Sequence, residues 1–234
     1  MRSIQAASAL IVGAAILIPA FSATPASADW WKNRGRGSIR GSGDVVTETR
    51  DLEAFDGIRV ESVANVHITM GDTQKVEIEA EDNIIDLIDL RVRRGRLIIS
   101  MDDDHSIDTD EGIHINITMP TLRDLELDGV GSFEALDLNE EDLTIDVGGV
   151  GSVELEGKVD KLDLDVSGVG DVDLRDLVAQ EARVRHSGVG HVRVRAEEDL
   201  DVRVSGVGSV RYYGKPKNIS KREDGLGSIT ASSR

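Results

Sequence analysis

The 234-residue sequence contains no cysteine, so it can form no disulfide and offers no thiolate to a metal. A lipidated N-terminal cysteine is excluded for the same reason. Aromatic residues make up 3% of the chain, too few for the aromatic-filled centre usual in a globular sandwich. A narrow interior of stacked Val, Leu and Ile does not need them. No segment holds a sustained helical period of apolar residues. Positive charge is scarce as well: 27 Lys and Arg face 44 Asp and Glu, a net charge of −17. Such a surface repels nucleic acid and anionic membranes, and no nucleic-acid partner is expected. After the first 28 residues no stretch is apolar enough to span a bilayer.

Residues 1–28 read as a signal peptide. Arg2 precedes an almost wholly apolar run from Ala6 to Phe21, and Ala26-Ser27-Ala28 gives the small-x-small pattern that signal peptidase cuts, before Asp29. The run is shorter than the about 20 apolar residues of a spanning helix and carries Pro19. Export is therefore expected, to the periplasm or the cell surface, with an uncleaved anchor as the alternative. Cleavage removes Arg2 alone among charged residues, so −17 becomes −18. Residues 29–46, rich in Gly, Ser and Arg, read as a flexible basic tether. Its Trp30-Trp31 pair either packs loosely on the domain or lies at a membrane interface.

The remainder, 47–234, reads as one β domain: irregular N-terminal coils over 47–121, then regular repeats over 122–234. "GIRVESV" (57–63), "NVHITMG" (65–71), "KVEIEAE" (75–81) and "IHINITMP" (113–120) alternate apolar and polar residues as half-buried strands do. "EDNIIDLIDL" (81–90) breaks the alternation, as one helical turn or a bend would. "RVRRGRLIIS" (91–100) predicts two strands joined near Gly95, and 101–112 an acidic loop.

From residue 129 a Gly-x-Gly element recurs. Its first glycine falls at 129, 149, 168, 188, 206 and 225, spacings of 20, 19, 20, 18 and 19. A period this regular marks a repeat architecture, and each period holds two alternating strands, one turn of a β-solenoid. The glycines are expected to supply positive φ at a tight corner. The residue between them (Val130, Val150, Val169, Val189, Val207, Leu226) is expected to point inward and stack on its copies.

Aligned on the glycines, Leu125, Ile145, Leu164, Val184 and Val202 form one inward ladder, and Phe133, Val153, Val172, Val192, Val210 and Ile229 another. Two outward ladders, Glu126-Asp146-Asp165-Arg185-Arg203 and Glu134-Glu154-Asp173-Arg193-Arg211, change sign at the same boundary. Rungs about 4.8 Å apart place like charges where they repel by roughly 0.9 kcal/mol in water, which is tolerable. Asp165 with Arg185, Asp173 with Arg193, and Asp163, Arg183 and Asp201 in the neighbouring row should attract. Charge that merely sets the register accounts for this pattern. An acidic front half and basic rear half could also stack head to tail.

The segments "FDGIRVESVANVHITMGD", "AEDNIIDLI" and "ITMPTLRDLELDGVGSFEA", followed by serial "SGVG" units, together resemble the head GIN domain family of putative autotransporter adhesins, from about Thr47 to the C-terminus. The resemblance implies a right-handed parallel β-helix on an exported bacterial envelope protein. It implies adhesion by name and brings no catalytic or binding residues with it. Neither the acidic loop nor the Arg-rich late coils follow from it, and the chain leaves no room for a translocator barrel.

No catalytic, cofactor or metal residue is assigned. Calcium is the ligand with most support: Asp102, Asp103, Asp104, Asp108, Asp110 and Glu111 supply hard oxygens in one loop, and Asp171 follows GVG as in Gly- and Asp-rich calcium β-rolls. The helix-loop-helix calcium spacing is missing, and the acidic run reads chiefly as solvated charge. His186 stands where other coils carry Leu127, Val147, Val166 and Val204, so it is a hydrogen-bonded interior residue or one half of a metal pair with His191. Ser132, Ser152, Ser209 and Ser228 recur too regularly to be nucleophiles, and neither GxGxxG nor GK[ST] opens a helix. The expected protein is a non-enzymatic envelope or surface module for adhesion, scaffolding or protein interaction, with an envelope protein or glycan as partner. The alternatives are a carbohydrate-active β-helix protein using its outer acids and a calcium-stabilised module.

Overall fold

The computed structural model describes residues 38–101 and 106–232. The signal-peptide segment and Trp30-Trp31 lie outside them. Arg36–Arg234 belongs to one unit, built almost entirely of strand.

The regular part is the solenoid that the repeats predict. Strands β11 (Val130–Val147), β12 (Val150–Val166), β13 (Val169–His186) and β14 (Val189–Val204) are each one coil long and lie side by side in parallel. Their register puts each GVG on the next: Val130 faces Val150, Val150 faces Val169, and Val169 faces Val189. The coils differ in length, yet both faces beside the GVG stay aligned. The surplus residues are absorbed where the register shifts, at Ala135/Leu138, Glu154/Gly157 and Leu174/Val178. At such a bulge the chain bends without losing its pairing on either side. Strand β15 (Val207–Tyr213) continues one side of the stack, followed by β16 (Asn218–Glu223) on β14 and β17 (Ser228–Ala231) on β15.

Before β11 the rungs are out of chain order. Strands β3 (Gly57–Val60) and β4 (Val63–Met70) form the rung beneath β10 (Asp124–Leu127) and β11. The rung beneath that comes from later residues, β7 (Arg96–Met101) and β9 (His114–Met119). Antiparallel strands cover this end: β5 (Lys75–Glu81) pairs with β9, β2 (Val45–Arg50) with β5, and β6 (Ile88–Arg93) with β7. A single 3₁₀ turn at Ile85–Leu87 breaks the alternation between β5 and β6. Part of the expected tether is structured: β1 (Ser38–Arg40) pairs in parallel with β8 (Ser106–Asp108), and β2 begins at Val45. A cluster of hydrogen bonds between sequence-distant groups holds it, which composition alone does not reveal. Asn83 Nδ2 donates to Arg40 O at 2.8 Å, and Gly43 N donates to the buried Glu81 carboxylate at 2.8 Å.

Both inward ladders are buried, each member from Leu125 to Val202 and from Phe133 to Val210 at most 1% exposed. The valine between the glycines does not join them. Val130, Val150, Val169, Val189 and Val207 are 48–52% exposed, and Leu226 is 86% exposed. The cause lies in the glycines, whose role is also not the expected one. Among those of the GVG units only Gly131 and Gly190 have positive φ. What they share is backbone against backbone: a Cβ on Gly170 would stand 1.8 Å from Gly151 O, and one on Gly151 1.8 Å from Gly131 O, where real contacts are not under 3.0 Å. The ladder of hydrogen bonds runs unbroken through the bend, with Val169 N donating to Gly149 O at 2.9 Å and Val189 N to Gly168 O at 3.0 Å. The glycine positions face the neighbouring coil, and the side chain between them is left to solvent.

Candidate functional site

Three features of the described surface stand out. The first is the valine ridge. Eleven large hydrophobics are exposed among the described residues; six of them, Val63, Val130, Val150, Val169, Val189 and Val207, occupy one position in successive rungs, and a seventh, Leu226, has the same place in its Gly-x-Gly unit just before β17. Scattered exposed apolar residues carry no message, but a contiguous row does. The outward neighbours two residues away are mostly uncharged: Gly148, Ser167, Ser187 and Ser205 on one side, Ser132, Ser152 and Ser209 on the other.

The second is the pair of charge rows four residues to either side of each valine. Opposite charges meet at the sign boundary as expected, with Arg185 Nε 3.1 Å from Asp165 and Arg193 Nη1 3.4 Å from Asp173. The third expected pairing is redirected. Asp163, Arg183 and Asp201 are in register, but Arg185 reaches Asp163 at 3.2 Å and Arg203 reaches Asp201 at 3.3 Å, and Arg183 makes no ion pair among the described residues. At the front, Arg96 bridges Asp124 and Glu126, each at 2.6 Å, and Arg59 holds Asp128 at 2.6 Å. Burial pushes the carboxyls of Asp124, Glu126 and Asp146 upward from their ordinary values, and for Asp146 the neighbouring Asp165 adds to it. A carboxyl whose pKa is raised by folding binds its proton more tightly in the folded state. These three therefore add stability at acid pH and lose that contribution as pH rises through their folded values.

The third feature is a groove of about 760 Å³ at another edge of the coils. It crosses the row Leu143, Leu162, Ala182, Leu200 and Ile219, in register across five rungs, of which the first four are buried in the core and Ile219 is exposed. The rows on either side carry mixed charge, Lys161, Glu181 and Asp199 on one and Asp163, Arg183 and Asp201 on the other.

Of the sequence-predicted calcium ligands, Asp108, Asp110 and Asp171 are among the described residues. Asp102, Asp103 and Asp104 lie outside the described residues. Asp108 ends β8, and Asp110 is exposed just beyond it. Asp171 lies on β13, where its Oδ1 accepts a hydrogen bond from His191 N at 3.1 Å. Among the described residues no three His, Asp or Glu side chains are grouped for a metal. His186 and His191 are not a pair. His186 is 1% exposed, while His191 is exposed with Nδ1 2.9 Å from Ser209 Oγ. His186 Nε2 donates to Gly190 O at 3.3 Å, and its buried Nδ1 has no partner. His186→Val restores the residue that Val166 and Val204 supply in adjoining rungs. It should raise stability by about 1 kcal/mol by removing an unpaired buried acceptor. Thermal melting checks this, and a lower midpoint would show that the imidazole fills its place better than valine. Composition and spacing pointed to neither the buried Glu81 nor the ridge; Glu81 keeps the polar-apolar alternation of β5, in phase with Glu77 and Glu79, so nothing local set it apart.

A family model described as "Putative auto-transporter adhesin, head GIN domain" matches residues 54–216. The chain belongs to this family. Among solved structures, a protein from Bacteroides fragilis described as a putative adhesin is similar, at 28% identity and a TM-score of 0.72, covering 83% of this chain and 100% of that one. A Parabacteroides distasonis protein described as a putative lipid binding protein matches at 21% identity and a TM-score of 0.52, covering 84% and 100%. A Parabacteroides merdae protein described as a putative adhesin matches at 15% and 0.51, covering 84% and 99%. The last two share the fold alone. No match is found among curated proteins. These structures share their fold with this chain, and no helix among the described residues is long and apolar enough to cross a membrane.

Proposed function

We propose that this GIN-domain protein is an exported, non-enzymatic module of the cell surface or periplasm that holds an extended segment of an envelope protein along its solenoid. The observation that carries this reading is the groove that crosses the rungs of Leu143, Leu162, Ala182, Leu200 and Ile219. It runs over five rungs and is lined by both signs of charge, with Ile219 the exposed apolar residue at one end, which suits an extended peptide with mixed side chains. The family membership and the signal-peptide pattern of residues 1–28 support an exported, adhesin-like role. A second reading, binding or cleavage of an acid-tolerant glycan, is favoured by the carboxylates of Asp163, Glu181, Asp199 and Asp201 beside that row. It is opposed by the lack of aromatic platforms there.

The two are separated by capture from envelope extract at low and high salt, run beside a glycan array and a reducing-sugar assay. Protein capture that Arg183→Glu abolishes is the expected result. Array binding or release of reducing sugar, with no captured protein, would contradict it.

A further inference from the structure

We propose that the valine ridge is the contact surface of an antiparallel dimer, with a second copy of this chain as its occupant. The argument rests on symmetry. A two-fold axis lying in the contact plane, across the ridge between the rungs of Val169 and Val189, reverses the direction of the second solenoid. Val169 then meets Val189 of the copy, and Val150 meets Val207. Each charge row is set against its own reverse: Asp165 opposite Arg185, Asp173 opposite Arg193, Asp146 opposite Arg203, and Glu154 opposite Arg211. Every one of these four pairs joins opposite signs. A parallel arrangement would instead set each rung against itself, acid on acid and arginine on arginine.

The pairing also uses the charges that the single chain leaves over. At the sign boundary Asp165, Arg185, Asp173 and Arg193 already satisfy one another. One rung farther out on the acidic side, Asp146 and Glu154 have no ion-pair partner among the described residues, and on the basic side neither has Arg211. The two-fold brings Glu154 and Arg211 face to face. In the rows two residues from the ridge it sets one like pair together, Asp128 and Asp224. Each of these is already held within its own chain, by Arg59 at 2.6 Å and by Arg222 at 2.7 Å.

Area sets an upper bound. Laid flat, the strip between the two charge rows is eight residue steps wide and six rungs long, roughly 26 by 29 Å or about 750 Å², and the bend at the GVG units lowers the part that meets the copy. A partner in a standard interface contributes about 800 Å². The valines alone cover less than half of the strip, so the charge rows must take part, and a reversible dimer rather than a permanent one is expected. Self-complementarity under a two-fold closes at two copies, whereas head-to-tail stacking would grow without limit.

Sedimentation of the purified protein over a wide concentration range tests this. Dimerisation is expected at low salt and should weaken about tenfold at high salt as the four charge pairs are screened. Val169→Asp should abolish it with the thermal midpoint little changed; should that variant fail to fold, the isosteric Val169→Thr, expected to weaken it, takes its place. Glu154→Arg and Arg211→Glu should each weaken the dimer, and the double variant should recover it. A monomer at every concentration, a dimer untouched by the Val169 substitutions, a double variant no better than the singles, or species growing beyond two copies would each overturn the proposal.

Discussion

Gly170→Ala is expected to destabilise the protein by more than about 3 kcal/mol, lowering the melting midpoint on the order of 10 °C. The added methyl would stand 1.8 Å from Gly151 O, and the atom it meets is backbone, which cannot turn aside. The two coils must separate, and with them the hydrogen bonds that run through the bend. Relief at one rung is passed to the next, because Gly190 is placed against Gly170 O in the same way, also at 1.8 Å. Gly148→Ala is the internal control. Its Cβ would meet the Asp128 carboxylate at 3.2 Å, the end of a side chain that can rotate, so its midpoint should move little. Equal losses in the two variants would show that backbone freedom, rather than the close approach of coils, is what the glycines supply.

The second large effect separates two valines of one coil. Val184 is 0% exposed and Val169 is 49% exposed. Val184→Asp buries an unpaired carboxylate among Leu164 and Val202, its partners in register, at a cost of about 3–5 kcal/mol. Val169→Asp places its carboxylate in water and should cost the monomer less than about 1 kcal/mol. Chemical denaturation of both variants measures the difference directly. Comparable losses would mean that the residue between the glycines faces inward after all.

This contrast marks how far the sequence could be read. The solenoid, its period and both buried ladders follow from alternation, since a β-strand side chain has only two directions. The rule holds even through Ser-Gly-Val-Gly: counting by twos from the buried Val166 reaches Gly168, Gly170 and then the buried Val172, so the inward positions of the unit are glycines and Val169 faces out. Yet a row of identical aliphatics beside glycines invites the opposite conclusion. The order of the first rungs was out of reach for another reason. Strands β7 and β9 lie beneath β3 and β4, and no repeat signature marks any of them, so nothing local records which rung stacks on which. Glu81 was hidden likewise, because its partners Gly43 and Thr109 are 38 and 28 residues away. Of the surfaces, the charge rows were legible because they change sign together. The groove was not: Leu143, Leu162, Ala182, Leu200 and Ile219 each stand six residues before the first glycine of the next unit, but alternation along one strand does not show where the surface of stacked coils is concave.

The absence of cysteine makes the central claim open to one direct measurement. Spin labels on Val130→Cys and Val207→Cys, both outward, sit four rungs apart if the GVG units stack in register. Double electron–electron resonance on the magnetically diluted monomer should then give one narrow distance distribution, centred near 19 Å plus the reach of the labels. A broad distribution, or one centred well beyond about 30 Å, could not come from four stacked rungs and would contradict the solenoid from which the ridge, the glycine contacts and the groove are all derived.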